Sequence, residues 1–308
     1  MKILSIRHDF LEKELEKNGI AVIPFSFPRG KRGDPQVAKK FVDFAAAQQA
    51  DVFWFWKDPH LTRELLLQLQ QACPRTKQIM WWGDQRGYVI PPLIASRKGL
   101  LHALFMTNDD ELERRMFQDY GIKHVPTMYH SFSTEEFQLW DTPITHEVFF
   151  GGSNFKGIKF PLSRYRTELI HAVRGSCKLV VHGNGWKFPT EKWILRPDYA
   201  KALRKANMNL GINHYDITRY YNRRLFESVA SGRLHLTYYI PGMEKHFKNG
   251  NQLVWFTNID QCVRQIRFYL NKPEKREEVA TRGRSFFIRY HSWPARAKQF
   301  IQALNAIL

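Results

Sequence analysis

Arg223 and Arg224 stand four and three residues before Glu227 in the run RRLFESVASGR, residues 223–233. Read as a helix start, the run puts all three charges within about a turn, while Phe226, Val229 and Ala230 can pack inward. A guanidinium fork matches phosphate oxygens, and a carboxylate offers two acceptor oxygens to paired hydroxyls. The same spacing also describes an ion-paired surface helix. Small residues at Ala230, Ser231 and Gly232 let the next segment, LHLTYY, turn back closely into a sheet.

Other residues carry a similar choice of readings. The run EVFFGGSN ends an apolar stretch with Gly151 and Gly152, where the backbone can approach a phosphate or simply turn, and Lys156 lies just beyond. Asp84 in QIMWWGDQRG and Asp9 in RHDF follow expected strands. A carboxylate there can take a proton from a reacting hydroxyl, or cap a helix such as FLEKELEK. Arg29, Lys31 and Arg32 crowd the loop FSFPRGKRGDP, and Arg86, Arg97 and Lys98 extend the positive stretch around Asp84. Such cations suit a nucleic-acid backbone, or a solvated surface.

These residues need a scaffold that brings strand ends and helix starts together. Short apolar runs (KILSIR, IAVIPFSF, DVFWFW, QIMWW, HALFMTN) alternate with amphipathic ones (FLEKELEKNG, QVAKKFVDFAAAQQ, LTRELLLQLQQAC, ELERRMFQDYG). The alternation lapses at TEEFQLWDTPITH, residues 134–146, which reads as a linker. It resumes with EVFFGGSN, SRYRTELIHAVRG, CKLVVHG, DYAKALRKA and NMNLGIN. The pattern predicts an α/β fold of two Rossmann-like halves with mostly parallel sheets. The domains expected are 1–138 and 146–285, with a helical tail over 286–308 interrupted at Pro294.

Composition narrows the partners. With 308 residues, 44% hydrophobic and 25% charged, the chain has enough apolar material for a folded core rather than a disordered segment. Its formal charge of +18 favours a polyanionic partner. Cys73, Cys177 and Cys262 are scattered and odd in number, and the histidines lack paired ligand spacing. Neither a disulfide framework nor a metal site is expected. The start, MKILSIRHDF, reads as a strand rather than a secretion signal, no apolar run has membrane-spanning length, and a cytoplasmic protein is expected.

The runs NLGIN (209–213), RRLFESVASG (223–232), GMEKHFKNG (242–250) and YHSWPAR (290–296) together resemble the carboxy-terminal half of CgeB-like glycosyltransferases, within the wider GT-B class. The likeness implies two Rossmann-like domains facing a cleft, with residues 286–308 packing back on the first domain. It implies a nucleotide-sugar donor, here a UDP-sugar such as UDP-glucose, with no cofactor and no obligatory metal. Glu227 would accept hydrogen bonds from the ribose, and Arg223 or Arg224 would hold the diphosphate. Gly151, Gly152, Lys156, His182, Gly183 and Asn213 would line the donor pocket, and Trp186 would stack on uracil or belong to the core. One departure is Arg219, which occupies the place of a second glutamate eight residues before the ribose-binding one. Asp84 would be the base, with Asp9 as runner-up, and the T-even phage DNA glucosyltransferases are similar in placing an aspartate at a comparable strand end. The expected acceptor is a hydroxymethylated pyrimidine in duplex DNA, 5-hydroxymethyluracil or 5-hydroxymethylcytosine, acted on by a phage-type monomeric hexosyltransferase. A protein, spore-coat or polysaccharide acceptor is the alternative.

Overall fold

The computed structural model describes residues 1–308 apart from 7–8, 29–32, 85–86, 158–159 and 195–197. It divides into two compact units, Met1–Tyr129 with Trp293–Leu308, and His130–Ser292. These divisions differ from the sequence boundaries near 138–146 and 285–286.

The first unit runs β1 (Lys2–Ser5), α1 (Phe10–Lys17), β2 (Ala21–Pro24), α2 (Pro35–Gln48), β3 (Val52–Phe55), α3 (Arg63–Ala72), β4 (Lys77–Trp82), α4 (Pro92–Ala95), β5 (Ala103–Met106) and α5 (Glu111–Asp119). Its five strands pair in the order β2-β1-β3-β4-β5, all parallel. A parallel sheet is covered on both faces, so β3, VFWF, is buried at every position. Successive side chains point to opposite faces. Phe53, Phe55, Met80 and Trp82 therefore join Phe41, Leu66 and Phe117 in one layer. Ile3, Trp54, Ile79 and Phe105 form the other with Leu11 and Leu15. Helix starts are fixed locally: Asp34 accepts from Gln36 N at 2.9 Å ahead of Pro35, and Asp110 accepts from Leu112 N at 2.9 Å.

The second unit runs β6 (His146–Gly151), α6 (Ser163–Arg174), β7 (Leu179–His182), α7 (Asp198–Arg204), β8 (Ala206–Gly211), α8 (Arg223–Ala230), β9 (Leu234–Tyr238), β10 (Val254–Phe256), α9 (Ile259–Asn271) and α10 (Pro273–His291). Its sheet has the order β10-β9-β8-β6-β7, again parallel throughout. The stretch expected to be a linker is instead tied onto this unit. Arg284 donates to Phe137 O at 2.7 Å and to Ala230 O, while Arg204 donates to Trp140 O at 2.6 Å and Ser231 O at 2.9 Å. Both cations meet the free carbonyls at the end of α8, where a helix dipole favours positive charge.

Helix α10 ends at Ser292 and the chain enters α11 (Trp293–Ile307), with Pro294 in its first turn. This last helix belongs to the first unit and packs along α1. Phe300 lies 4.5 Å from the ring of Trp54 and 5.0 Å from that of Phe105. Burying one such ring contributes about 2–3 kcal/mol. No described helix is long and apolar enough to cross a membrane.

Candidate active site

In the second unit the carboxyl ends of β6, β7 and β8 meet the start of α8. Gly152 N donates to His182 O at 2.7 Å, and Gly151 O accepts from Arg224 Nη1 at 3.1 Å. A Cβ on Gly152 would strike the guanidinium groups of Arg166 and Arg224. One on Gly183, at φ 143°, would lie 2.5 Å from the Gly152 carbonyl. The groups that approach these glycines closely are cations and another strand end.

Arg166 was not singled out by the sequence reading. It sits on α6 with Leu169, Ile170 and Val173 on the same buried stripe, and a cation at such spacing was the signal available. Its side chain is fully buried. It donates to Ile212 O at 2.6 Å and Ser153 O at 3.1 Å, and its guanidinium lies 4.7 Å from the centre of the Phe150 ring. Burial, and then the neighbouring Arg224, lower its pKa far below the usual arginine value. Among the described residues no carboxylate forms an ion pair with Arg166 or Arg224. Two clustered cations, one wholly removed from water, favour an anion placed beside them.

Helix α8 starts at Asn222, whose side chain accepts from Leu225 N at 3.3 Å and donates to Asn213 Oδ1. Asn213 in turn donates to Tyr220 O at 2.9 Å, so it positions the helix start. The two arginines of the motif then part. Arg224 turns to β6, whereas Arg223, half exposed, pairs through Nε with Glu227 Oε1 at 3.2 Å. The Glu227 carboxylate is buried. Tyr199, also absent from the sequence reading, packs its ring against Gly151, and burial followed by the Glu227 charge pushes its phenol pKa up.

Trp186 donates Nε1–H to Gly152 O at 2.9 Å and packs against Phe150 and Phe188, so the indole is a core group rather than an open stacking surface. His182 bonds Lys192 O through Nδ1 at 2.8 Å. Lys156 is exposed. His214 lies against Phe155 and Phe160, and burial with Arg166 and Arg224 lowers its pKa to about 3, leaving it neutral. Arg219, the departure from the two-glutamate pattern, has φ 51° and packs on Gly242.

In the first unit Asp84 lies just past β4, and its Oδ2 accepts from Lys57 Nζ at 3.0 Å, both side chains about half exposed. Asp9 precedes α1, where its backbone N donates to Glu12 Oε2 at 3.3 Å and Ser5 Oγ donates to Glu12 Oε1 at 3.0 Å. Glu12 is fully buried, and that burial, reinforced by Asp9, raises its pKa to about 8. Arg97 is a correction: it is 1% exposed, donates to Leu61 O at 2.7 Å and covers Phe55, so it cannot meet a polyanion. Lys98 is exposed over Tyr120, at the end of α5, which runs back from the carboxyl edge of the sheet. Arg29, Lys31, Arg32 and Arg86, with His8, lie outside the described residues. Among the described residues no group of three or more His, Cys, Asp or Glu side chains could hold a metal ion.

Comparison with known proteins adds a family match over part of the chain and a fold. Residues 165–302 match a family described as glycosyl transferase-like. No curated protein matches the chain. Among solved structures, Anabaena HepE in complex with UDP and glucose is 12% identical with a TM-score of 0.67, covering 99% of this chain and 100% of that one. Sucrose-phosphate synthase from Thermosynechococcus elongatus is 10% identical with a TM-score of 0.68, covering 100% of this chain and 99% of that one. A DNA modifying β-glucosyltransferase, studied with and without uridine diphosphoglucose, is 14% identical with a TM-score of 0.66, covering 99% and 100%. The chain has the GT-B fold.

Proposed function

We propose that this chain is a nucleotide-sugar-dependent glycosyltransferase that moves a hexose from a UDP-sugar to a hydroxyl acceptor. The observation that carries the reading is the pair Arg166 and Arg224 at the carboxyl end of β6, without carboxylate partners and beside the buried Glu227. A diphosphate supplies the charge that the arginines lack, and Glu227 accepts from the ribose hydroxyls once Arg223 turns outward. The family match over 165–302 includes all three of these residues.

In the transfer the acceptor oxygen attacks the anomeric carbon. A new carbon–oxygen bond forms, the bond to the β-phosphate oxygen breaks, and UDP leaves with the electron pair. Asp84 takes the acceptor proton, and Arg166 and Arg224 stabilise the departing diphosphate. Lys57 orients the Asp84 carboxylate by holding one of its oxygens.

The acceptor we propose is a hydroxymethylated pyrimidine in DNA, extruded from the duplex so that its hydroxyl can react. The net charge of +18 and the likeness to a DNA modifying β-glucosyltransferase support it. The burial of Arg97 favours a second reading, a protein or saccharide acceptor, because it withdraws one cation from the basic surface. Transfer of labelled glucose from UDP-glucose to duplex DNA containing 5-hydroxymethyluracil or 5-hydroxymethylcytosine tests the first reading, with unmodified DNA as control and chelator present. Label confined to modified DNA is expected. UDP-glucose binding or hydrolysis without transfer to DNA supports the second reading, and absence of UDP binding overturns both.

A further inference from the structure

The first unit holds a recess that the donor site does not explain. It is a cavity of about 290 Å³ between the starts of α2 and α3. Phe27 and His60 both line it, their rings stacked 5.0 Å apart at an angle of 6°. Phe41 backs the Phe27 ring at 5.1 Å, while Asp58 Oδ1 accepts from His60 N at 2.8 Å and bonds its Nδ1 at 3.1 Å, so both rings are held in place. Pro35, Val37, Ala38 and Leu65 complete an apolar lining.

Its polar groups are few. Glu64 and Gln68, both exposed and four residues apart on α3, share a helix face and line the cavity together. Asp34 lines it too, but its Oδ1 is occupied by Gln36 N at 2.9 Å and Val37 N at 3.4 Å, and Thr62 Oγ1 accepts from Leu65 N at 3.3 Å. With both helix starts capped and no lysine or arginine among the described lining residues, an anion has nothing there to pair with. The recess suits an uncharged ligand. A hexose carries hydroxyls around its whole ring, and those turned toward Val37, Ala38 and Leu65 would lose their hydrogen bonds. A pyrimidine keeps its polar groups on the edge and has two flat faces for aromatic rings. A carboxylate accepts from uracil N3–H or the cytosine amino group, and an amide donates to a ring carbonyl, so Glu64 and Gln68 are suited to that edge.

We propose that this recess receives the pyrimidine ring of the acceptor once it has left the duplex, with Phe27 and His60 against the ring and Glu64 and Gln68 on its edge. The inference rests on the DNA-acceptor reading and adds to it the residues that choose the acceptor. Lys57, which holds Asp84 at 3.0 Å, precedes His60 by three residues, so at most about 11 Å of chain separates the partner of the proton acceptor from the wall of the recess. The carboxylates of Asp34 and Glu64 repel phosphate, which keeps the sugar–phosphate backbone outside and admits only the extruded ring.

The test compares Gln68→Leu and Val37→Trp with the wild-type full chain, using labelled UDP-glucose and duplex DNA containing 5-hydroxymethyluracil. Gln68→Leu should raise KM for the DNA about tenfold, the worth of one hydrogen bond to a base edge. Val37→Trp fills the recess and should reduce labelling of DNA to background. Both should keep the wild-type melting temperature and the wild-type UDP affinity by calorimetry. Gln68 is exposed, so its substitution decides the matter even if Val37→Trp fails to fold. Wild-type KM for DNA in Gln68→Leu, with Val37→Trp also active wherever it folds, overturns the recess and leaves the DNA acceptor standing. No labelling of modified DNA by the wild type overturns the acceptor reading and the recess with it. Label that passes instead to an oligosaccharide, and is weakened by the same substitutions, overturns the proposal in favour of a sugar in the recess.

Discussion

The two sheets end in opposite kinds of surface. In the second unit the carboxyl edge is buried and cationic: Arg166 is fully out of water, Arg224 bonds a strand carbonyl, and glycines let them in. In the first unit the corresponding edge presents a half-exposed Lys57–Asp84 pair. An exposed pair is screened by solvent and contributes little to stability, whereas buried charge must be matched by a partner or a ligand. On the proposed reading, the contrast means that the donor side is shaped before any ligand arrives. On the same reading, the acceptor side is set by half-exposed side chains.

If that division holds, substitutions on the two edges should fail in different ways. Asp84→Asn should lower kcat by about 10²–10⁴-fold while UDP affinity by calorimetry stays the same; a matching loss of UDP affinity would place Asp84 on the donor side. Gly183→Ala should lower stability by about 2–3 kcal/mol in denaturant melts, because its Cβ meets the Gly152 carbonyl. A substitution without effect there would mean that the strand ends can separate. Arg224→Met should weaken UDP binding by about 10- to 100-fold, the worth of a charge-assisted contact. Wild-type affinity would break the assignment of that edge to the diphosphate.

A smaller effect separates the units by pH. His235, with its pKa lowered from 6.5 to about 3, contributes stability that is present above 6.5 and lost as pH falls through 3. Glu12, raised from 4.5 to about 8, contributes stability present below 4.5 and lost as pH rises through 8. Thermal melts should therefore show Glu12→Gln gaining on the wild type as pH rises from 5 to 8, and His235→Phe gaining on it as pH falls from 6 to 4. Parallel pH profiles for wild type and variants would end the distinction.

Much of the fold was legible because a parallel sheet leaves a simple trace: apolar runs such as VFWF, buried on both faces, between helices with capped starts. The α8 motif was legible for a related reason, since local spacing alone puts Arg223, Arg224 and Glu227 on one turn. What spacing did not reveal was which cation turns inward. Arg166 lies far from the motif in sequence and reaches the site only because α6 packs its stripe against the sheet. Arg97 fell inside a basic run, yet the carbonyl of Leu61 and the ring of Phe55 draw it into the core. Trp186 was balanced between two readings in the sequence, and only the position of Gly152 O decided it.

The placement of α11 bears on the order of synthesis. Residues up to 129 leave the ribosome before Phe300 exists, so Trp54 and Phe105 emerge without the ring that covers them. The second unit, contiguous from His130 to Ser292, has all its strands and helices available before that helix is translated. Domains usually complete themselves from the amino terminus onward as they are made. Here the first half to be translated is the last to be finished, and the layer built on Trp54 is the surface a chaperone would meet during the interval.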